Sequence, residues 1–303
     1  TPGSDTGDSS THFFMTSMTF VTSLPYATLN LNRIERSFDK WLMLRIFALL
    51  SLLQACARVI ASEIMVGAGV FDISRTEVTQ LFYRAVMGTN PSGFKGDDRP
   101  VEMVSWYDAL VYCNKRSIAE GLTPCYTIGG STNPASWPNI VADGAGKHCG
   151  PASTNTAWDA ATCNFSANGY RLPTEAEWEW LARGGDNTKY AWSCEYAGSD
   201  TVDDVAWYTT NSGSKTHKVK QKAANSKGLY DMSGNVREWC WDWDGTTTAT
   251  TPAAGADSGS YRVLRGGSWC YDASQCAVSY RVSYYPYARN FEFGFRVVRS
   301  SSE

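Results

Sequence analysis

Histidine is almost missing from this chain of 303 residues: His12, His148 and His217 are the only three, and no two stand close in sequence. A metal centre built mainly from imidazole is therefore excluded. The nine cysteines contain no Cys-x-x-Cys pair, which removes zinc-ribbon and thioredoxin-like chemistry. A surplus of positive charge is lacking too. With 27 basic against 30 acidic residues, the chain as a whole has no field for nucleic acid or an anionic membrane surface, and no nucleic-acid partner is expected. Nor is there a long hydrophobic run. The nearest is MLRIFALLSLLQAC, starting at Met43, whose apolar part of about ten residues is too short to span a bilayer.

That run has either the make-up of a buried core helix or, the reading followed here, that of a signal-peptide core: a basic start, an apolar centre, then Ala55 before Cys56. It resembles a bacterial lipoprotein signal, in which the cysteine is acylated and becomes the mature N-terminus. The expectation is a signal over 43–56 with Cys56 as lipidation site. Residues 1–42 then stand outside the mature protein, and a single domain follows over 57–303. The product would be exported and held at a bacterial membrane or cell surface only through its lipid. Eight cysteines remain, an even number that an oxidising compartment could pair, with the connectivity open.

What the chain has in quantity is aromatic surface. Twelve Trp, 16 Tyr and 12 Phe within a hydrophobic content of 43% are ample for a folded core. The stretch FDISRTEVTQ predicts a strand running into a helix capped by Thr79, with Phe82, Val86 and Met87 inward and Gly88 as the stop. Ser105 caps a second helix whose Trp106, Ala109, Leu110 and Cys113 recur at helical spacing. Residues 125–169, rich in Gly, Ser, Asn and Pro, read as an irregular insertion, stapled if its cysteines are oxidised. Thr174 and Glu177 form a capping box. The acids Glu175, Glu177 and Glu179 sit in the first helical turns, where the helix dipole favours negative charge, so they read as structure rather than acid–base chemistry. In NSKGLYDMSGNVREW, Asn235 and Glu238 offer oxygens three residues apart beside a turn-rich backbone, a composition that suits Ca²⁺ as a structural ion as well as it suits a polar turn.

The last quarter organises the rest. YRVLRGGSW and FGFRVVRS read as strands, and Gly266-Gly267 breaks the first of them. Between them lies a segment with little helical or strand period, crowded with Tyr271, Tyr280, Tyr284, Tyr285, Tyr287 and Phe291 among serines and Asn290. Of these rings, Trp269, Tyr280, Phe293 and Phe295 are expected in the core. Tyr284, Tyr285 and Tyr287, beside Pro286 in a turn-like stretch, are expected outside it.

Taken in order, TEVTQ…YRAVMGTNPSGFKGDDRPVEMVSWYDALVYCN, GYRLPTEAEWEW, GLYDMSGNVREW, RVLRGGSW and GFRVVRS resemble the formylglycine-generating enzyme or sulfatase-modifying factor family over roughly residues 64–299. The resemblance implies an α+β C-type lectin-like fold with twisted antiparallel strands, a few helices and much irregular structure. The first hairpin of the family looks shortened here. Within that family, the variable proteins of diversity-generating retroelements are the more similar branch. They scatter substitutions over exposed positions of a region that here would be 269–293. By that pattern the variable, ligand-binding positions are Cys270, Tyr271, Asp272, Ser274, Gln275, Val282, Ser283, Tyr284, Tyr285, Ala288, Asn290, Phe291 and Glu292. The fixed frame is Trp269, Ala273, Cys276, Ala277, Tyr280, Arg281, Pro286, Arg289 and Gly294.

Two functions follow as expectations. The first is an exported display protein that binds a macromolecular ligand, a protein, through this surface, with no cofactor required. A Tyr/Ser/Asn-rich irregular surface has the make-up of antibody binding loops, and this one carries no His and only Asp272 and Glu292 as acids. The alternative, implied by the enzymes of the family, is a copper-dependent oxidase that converts a substrate cysteine to formylglycine, with Cys270 and Cys276 as the copper pair. Soft thiolates suit Cu(I). Cys270 stands one residue earlier than the enzymes' first cysteine, and on a strand such a slip turns a side chain to the opposite face.

Overall fold

The computed structural model describes residues 65–67, 71–140, 148–185, 194–245 and 255–300, all within one compact unit, Leu52–Glu303. Residues 1–42, the signal-like stretch 43–56 and Cys56 lie outside the described residues.

Strands β1 (Met65–Gly67) and β2 (Phe71–Ser74) pair antiparallel, Met65 opposite Ser74, so the first hairpin forms. Thr79 caps helix α1 (Gln80–Met87), its side chain accepting from the Phe82 amide, and Gly88 closes it at φ 79°. The inward face differs from the expected one. Gln80, Tyr83 and Met87 are buried, while Phe82 and Val86 lean on the core from its edge. Gln80 faces inward because its amide clasps the following loop, donating to the carbonyls of Phe94 and Pro100. Helix α2 (Trp106–Ala119) starts on a capping box between Ser105 and Asp108 and is buried on nearly every side.

The 125–169 stretch is less irregular than its composition suggests. It holds a two-stranded ribbon of β3 (Tyr126–Thr127) and β4 (Thr162–Cys163) and a short helix α3 (Thr156–Asp159). Its Tyr126, Ile128, Trp137 and Trp158 enter the main core. No disulfide staples it: among the described residues none of the eight cysteines is joined in a disulfide. Aromatic burial fixes this stretch instead, as in the Trp137–Trp158 edge contact at 5.2 Å.

After β5 (Tyr170–Arg171), the capping box of Thr174 and Glu177 opens α4 (Glu175–Ala182). The three glutamates are structural, as their place early in the helix suggested. Glu177 takes Arg171, Glu179 takes Arg183 and Arg265, and Glu175 takes Arg281. A single turn, α5 (Val202–Val205), precedes the central strand β6 (Arg237–Trp243), buried along its whole length. Trp239 and Trp106 donate their indole N–H groups to the carbonyls of Val104 and Cys240, which locks α2 against β6. The remaining strands are β7 (Arg262–Arg265), β8 (Arg281–Tyr284), β9 (Phe293–Gly294) and β10 (Val298–Ser300).

Two four-stranded sheets result, one ordered β1-β2-β10-β5 and one β8-β7-β6-β9. In the second, β9 runs parallel to β6 while β7 and β8 are antiparallel. The α+β expectation holds. Among the described residues no helix is long and apolar enough to cross a membrane.

Candidate functional site: a pinned aromatic surface

The segment from Gly266 to Glu292 follows a path dictated from below. Gly266 and Gly267 turn out of β7 at φ 96° and 72°. A Cβ at Gly267 would meet the Cys276 Cα and Sγ, each at 2.8 Å, so a side chain is excluded on space as well as on backbone strain. Scaffold groups then catch the backbone repeatedly. Trp269 N–H donates to the Asn235 carbonyl, Thr209 N–H to the Tyr271 carbonyl and Met103 N–H to the Asn290 carbonyl, while Arg237 N–H donates to the Glu292 carbonyl. Arg289 forks onto Asp108 at 2.8 and 3.1 Å and reaches the Gly150 carbonyl. Burial works to raise the Asp108 carboxyl, but Arg289 and the amides facing it hold it below the ordinary carboxylate range.

The segment is also more regular than its sequence. Arg281–Tyr284 is an edge strand registered on β7, Tyr284 opposite Arg262, and Ala273–Cys276 is a 3₁₀ turn. Tertiary pairing imposes the strand on a sequence with no clear alternation.

On this support stand two aromatic groups. Tyr285, 41% exposed, stacks on Tyr287 at 5.2 Å and meets Tyr261, 39% exposed, at 4.6 Å with a hydroxyl–hydroxyl bond of 3.2 Å. Phe291, 46% exposed, shares the ring of Phe94, which in turn packs edge-on to Trp269 at 5.2 Å. Asp272, Ser274 and Asn290 are exposed beside them. Other expected positions are set deeper. Val282, Tyr284 and Ala288 pack on the core, and Tyr284 rests on Phe293 at 4.8 Å. Ser283 is tied to Asp244 at 2.6 Å. Conversely, Trp269 and Tyr280, expected in the core, are half-buried.

Glu292 is the clear correction. It is 2% exposed and displays nothing. Its carboxylate accepts from Ser268 at 3.0 Å, Tyr271 at 3.2 Å and Asn290 at 3.1 Å, with the Arg237 guanidinium 3.6 Å away. That guanidinium also underlies the Tyr271 ring at 3.9 Å and donates to the Gln275 side chain. Glu292 and Arg237 thus form a polar floor that holds Tyr271, Gln275 and Asn290 in place.

Cys270 and Cys276 both reach Ser268. The Cys270 thiol lies 3.4 Å from its hydroxyl and 3.5 Å from Glu292, while the Ser268 backbone hydrogen-bonds Cys276. Burial pushes the Cys270 thiol up to about 11, with Glu292 adding to it, and the fully buried Cys276 up to about 12. With no metal bound these surroundings favour two neutral thiols, and a Cu(I) ion would have to displace both protons to gain its thiolate pair.

Asn235 and Glu238 do not fit a calcium site. The Asn235 side-chain oxygen accepts from the His217 amide, and its nitrogen donates to Glu77. Glu238 is closed off by Arg296, with both oxygens at 2.6 Å, and by the Trp178 indole at 2.7 Å. A cation there would have to displace a buried guanidinium. Among the described residues no three His, Cys, Asp or Glu gather as a metal site.

Sequence reasoning missed Phe94 and Tyr261. Phe94 had a readable signal, a lone ring in the turn-rich loop Asn90–Gly96. Tyr261 sits next to a buried strand and joins the surface only because Tyr285 folds back onto it.

The family model described as "Sulfatase-modifying factor enzyme 1-like domain" matches residues 61–301. "Chaperone protein LppX" of Paenibacillus barcinonensis is 41% identical over 247 residues, 76% of this chain and 80% of that protein. The formylglycine-generating enzyme of Streptomyces coelicolor is 37% identical over 158 residues, 47% of this chain and 50% of the enzyme. The solved structure of Treponema denticola variable protein 1 superposes with a TM-score of 0.67 at 43% identity, covering 76% of this chain and 84% of that one.

Proposed function

The chain belongs to the sulfatase-modifying factor enzyme 1-like family and has its α+β, C-type lectin-like fold, and on that premise we propose that it is an exported display protein whose C-terminal surface binds a macromolecular ligand, a protein. The observation that carries this reading is the pair of ring groups, Tyr261–Tyr285–Tyr287 and Phe94–Trp269–Phe291, in which half-buried Tyr287, Phe94 and Trp269 hold Tyr261, Tyr285 and Phe291 exposed, standing on a backbone that scaffold hydrogen bonds hold in one conformation. Rigid aromatic anchors in a polar surround are what a binding surface needs, because little rotamer entropy is lost when the partner arrives. The variable-position pattern and the likeness to a variable protein support the same reading. Attachment to a membrane is proposed only through a lipid on Cys56.

Panning a displayed random-peptide library on the full chain tests this. Selected binders should lose about 2 kcal/mol or more of affinity on Tyr285→Ala or Phe291→Ala chains. Binders that hold equally well to all three chains would overturn it.

A second reading, copper-dependent formylglycine formation, rests on Cys270 and Cys276 both contacting Ser268. Those two cysteines would hold copper, which would supply the redox chemistry with dioxygen as the oxidant consumed. Its test is copper-dependent formylglycine in a cysteine-containing sulfatase peptide, abolished by Cys270→Ala. No product with copper supplied would dispose of it.

A further inference from the structure

The stretch between Asp204 and Asp231 holds Lys215, Lys218, Lys220, Lys222 and Lys227 and no acidic residue. This is a local run of positive charge in a chain whose net charge is −3. The fold sets it beside the aromatic surface. The Ser212 hydroxyl donates to the Trp269 carbonyl at 2.7 Å, Thr209 N–H donates to the Tyr271 carbonyl, and His217 N–H donates to the Asn235 side chain. On its other flank the stretch meets the loop that carries Phe94. Arg99 reaches Thr216 at 3.4 Å, and Val219 N–H donates to the Asp98 carbonyl. Lys95 follows Phe94 directly and is exposed, as are Lys215, Lys218 and Lys220.

Little of this charge is neutralised from within. Among the described residues only Lys218 stands at ion-pair distance from a carboxylate, Asp98 at 3.3 Å, and both are largely exposed; Lys95 and Lys220 act on the buried Glu102 and Asp231 from farther away. The neighbouring acids are engaged elsewhere, Asp97 with Arg84 at 2.9 Å and Asp204 with Ser199 at 3.0 Å. Lys222 stacks on Trp207 at 4.3 Å and donates to a carbonyl oxygen, not a carboxylate.

Resting on the binding reading above, we propose that the rim formed by Lys95, Arg99, Lys215, Lys218 and Lys220 receives an acidic segment of the protein ligand, while the rings of Phe94, Trp269 and Phe291 take its apolar contacts. Charge complementarity of this kind steers encounter and fixes the orientation of a partner more than it adds affinity. A protein partner is favoured over a nucleic acid because the positive charge is confined to one rim of an acidic chain rather than spread along a groove.

Fluorescence anisotropy with a labelled peptide of about ten glutamates tests the assignment on the full chain, with a Gly-Ser peptide, a DNA duplex and phosphatidylglycerol vesicles as comparisons. The acidic peptide should bind at low salt, weaken as salt rises, and weaken about tenfold or more on the Lys215→Glu/Lys218→Glu/Lys220→Glu chain. The peptide carries no apolar side chain, so it reads the rim alone; failure of the aromatic surface is read separately by the panned binders. Unchanged thermal unfolding of the triple variant excludes misfolding as the cause. Absence of acidic-peptide binding, equal binding to the triple variant, or tighter binding of the duplex or vesicles would each overturn the proposal.

Discussion

A Cβ placed on Gly93 would stand 2.3 Å from Cε1 of Phe291. The exposed ring therefore rests against bare backbone, and a loop about two hundred residues away in sequence fixes its position. Gly93→Ala should push the ring aside rather than strain the chain, because an exposed ring can move. The expected result is a change in unfolding free energy within about 0.5 kcal/mol, together with altered binding of partners selected on the unaltered chain. Urea titration and binding on the same samples check both halves.

Neighbouring tyrosines should behave differently. Tyr285 projects from the surface, so Tyr285→Ala should leave stability nearly unchanged while binding falls. Tyr284 packs on Phe293, so Tyr284→Ala should cost about 1–3 kcal/mol of stability and affect binding mainly through the platform. Equal thermal midpoints for the two variants would contradict this division.

Glu238 and Arg296 are both fully buried and meet at 2.6 Å. Glu238→Ala leaves a guanidinium uncompensated in the core and should cost about 3–5 kcal/mol, read as a shift in urea midpoint. Because that carboxylate is committed to Arg296 and Trp178, calcium or a chelator should leave the midpoint of the unaltered chain where it is.

Burial pushes the Glu102 carboxyl up to about 7 against an ordinary 4.5, although the amides of Phe94 and Gly93 pull it down. Between these values the folded chain holds a proton that the unfolded chain has released. The Glu102 contribution is thus complete below about pH 4.5 and is lost as pH rises towards 7. Glu102→Gln, which keeps an acceptor for the Phe94 amide, should flatten the fall in stability over that window by on the order of 1–3 kcal/mol. Parallel slopes for the two chains would refute the assignment. Asp231 and Asp242, raised to about 6 and about 7 by burial, contribute in the same direction and stay in both chains.

Much of the scaffold was legible in the sequence because it depends on neighbours along the chain. Thr79, Ser105 and Thr174 cap helices through atoms at most three residues away. The glycine pair after β7 is readable from its own backbone geometry, although Gly267 also lacks room for a side chain beside Cys276. Even the structural role of Glu175 and Glu177 followed from their place in the first helical turn. The edge strand Arg281–Tyr284 was not legible, since its pairing with β7 supplies what its own pattern lacks.

What a side chain does at the surface depended on partners distant in sequence, and only the tertiary structure could assign it. Glu292 looks like any acid of a variable segment until Ser268, Tyr271 and Arg237 close around it. Glu238 looks like a calcium ligand until Arg296 reaches it across 58 residues. Tyr261 gains its place from Tyr285, and the lysines after Ser212 gain theirs from Trp269. Capping, turn formation and apolar content act over a few residues and can be read in order. Burial of charge and exposure of rings are decided by which distant segments the fold brings together.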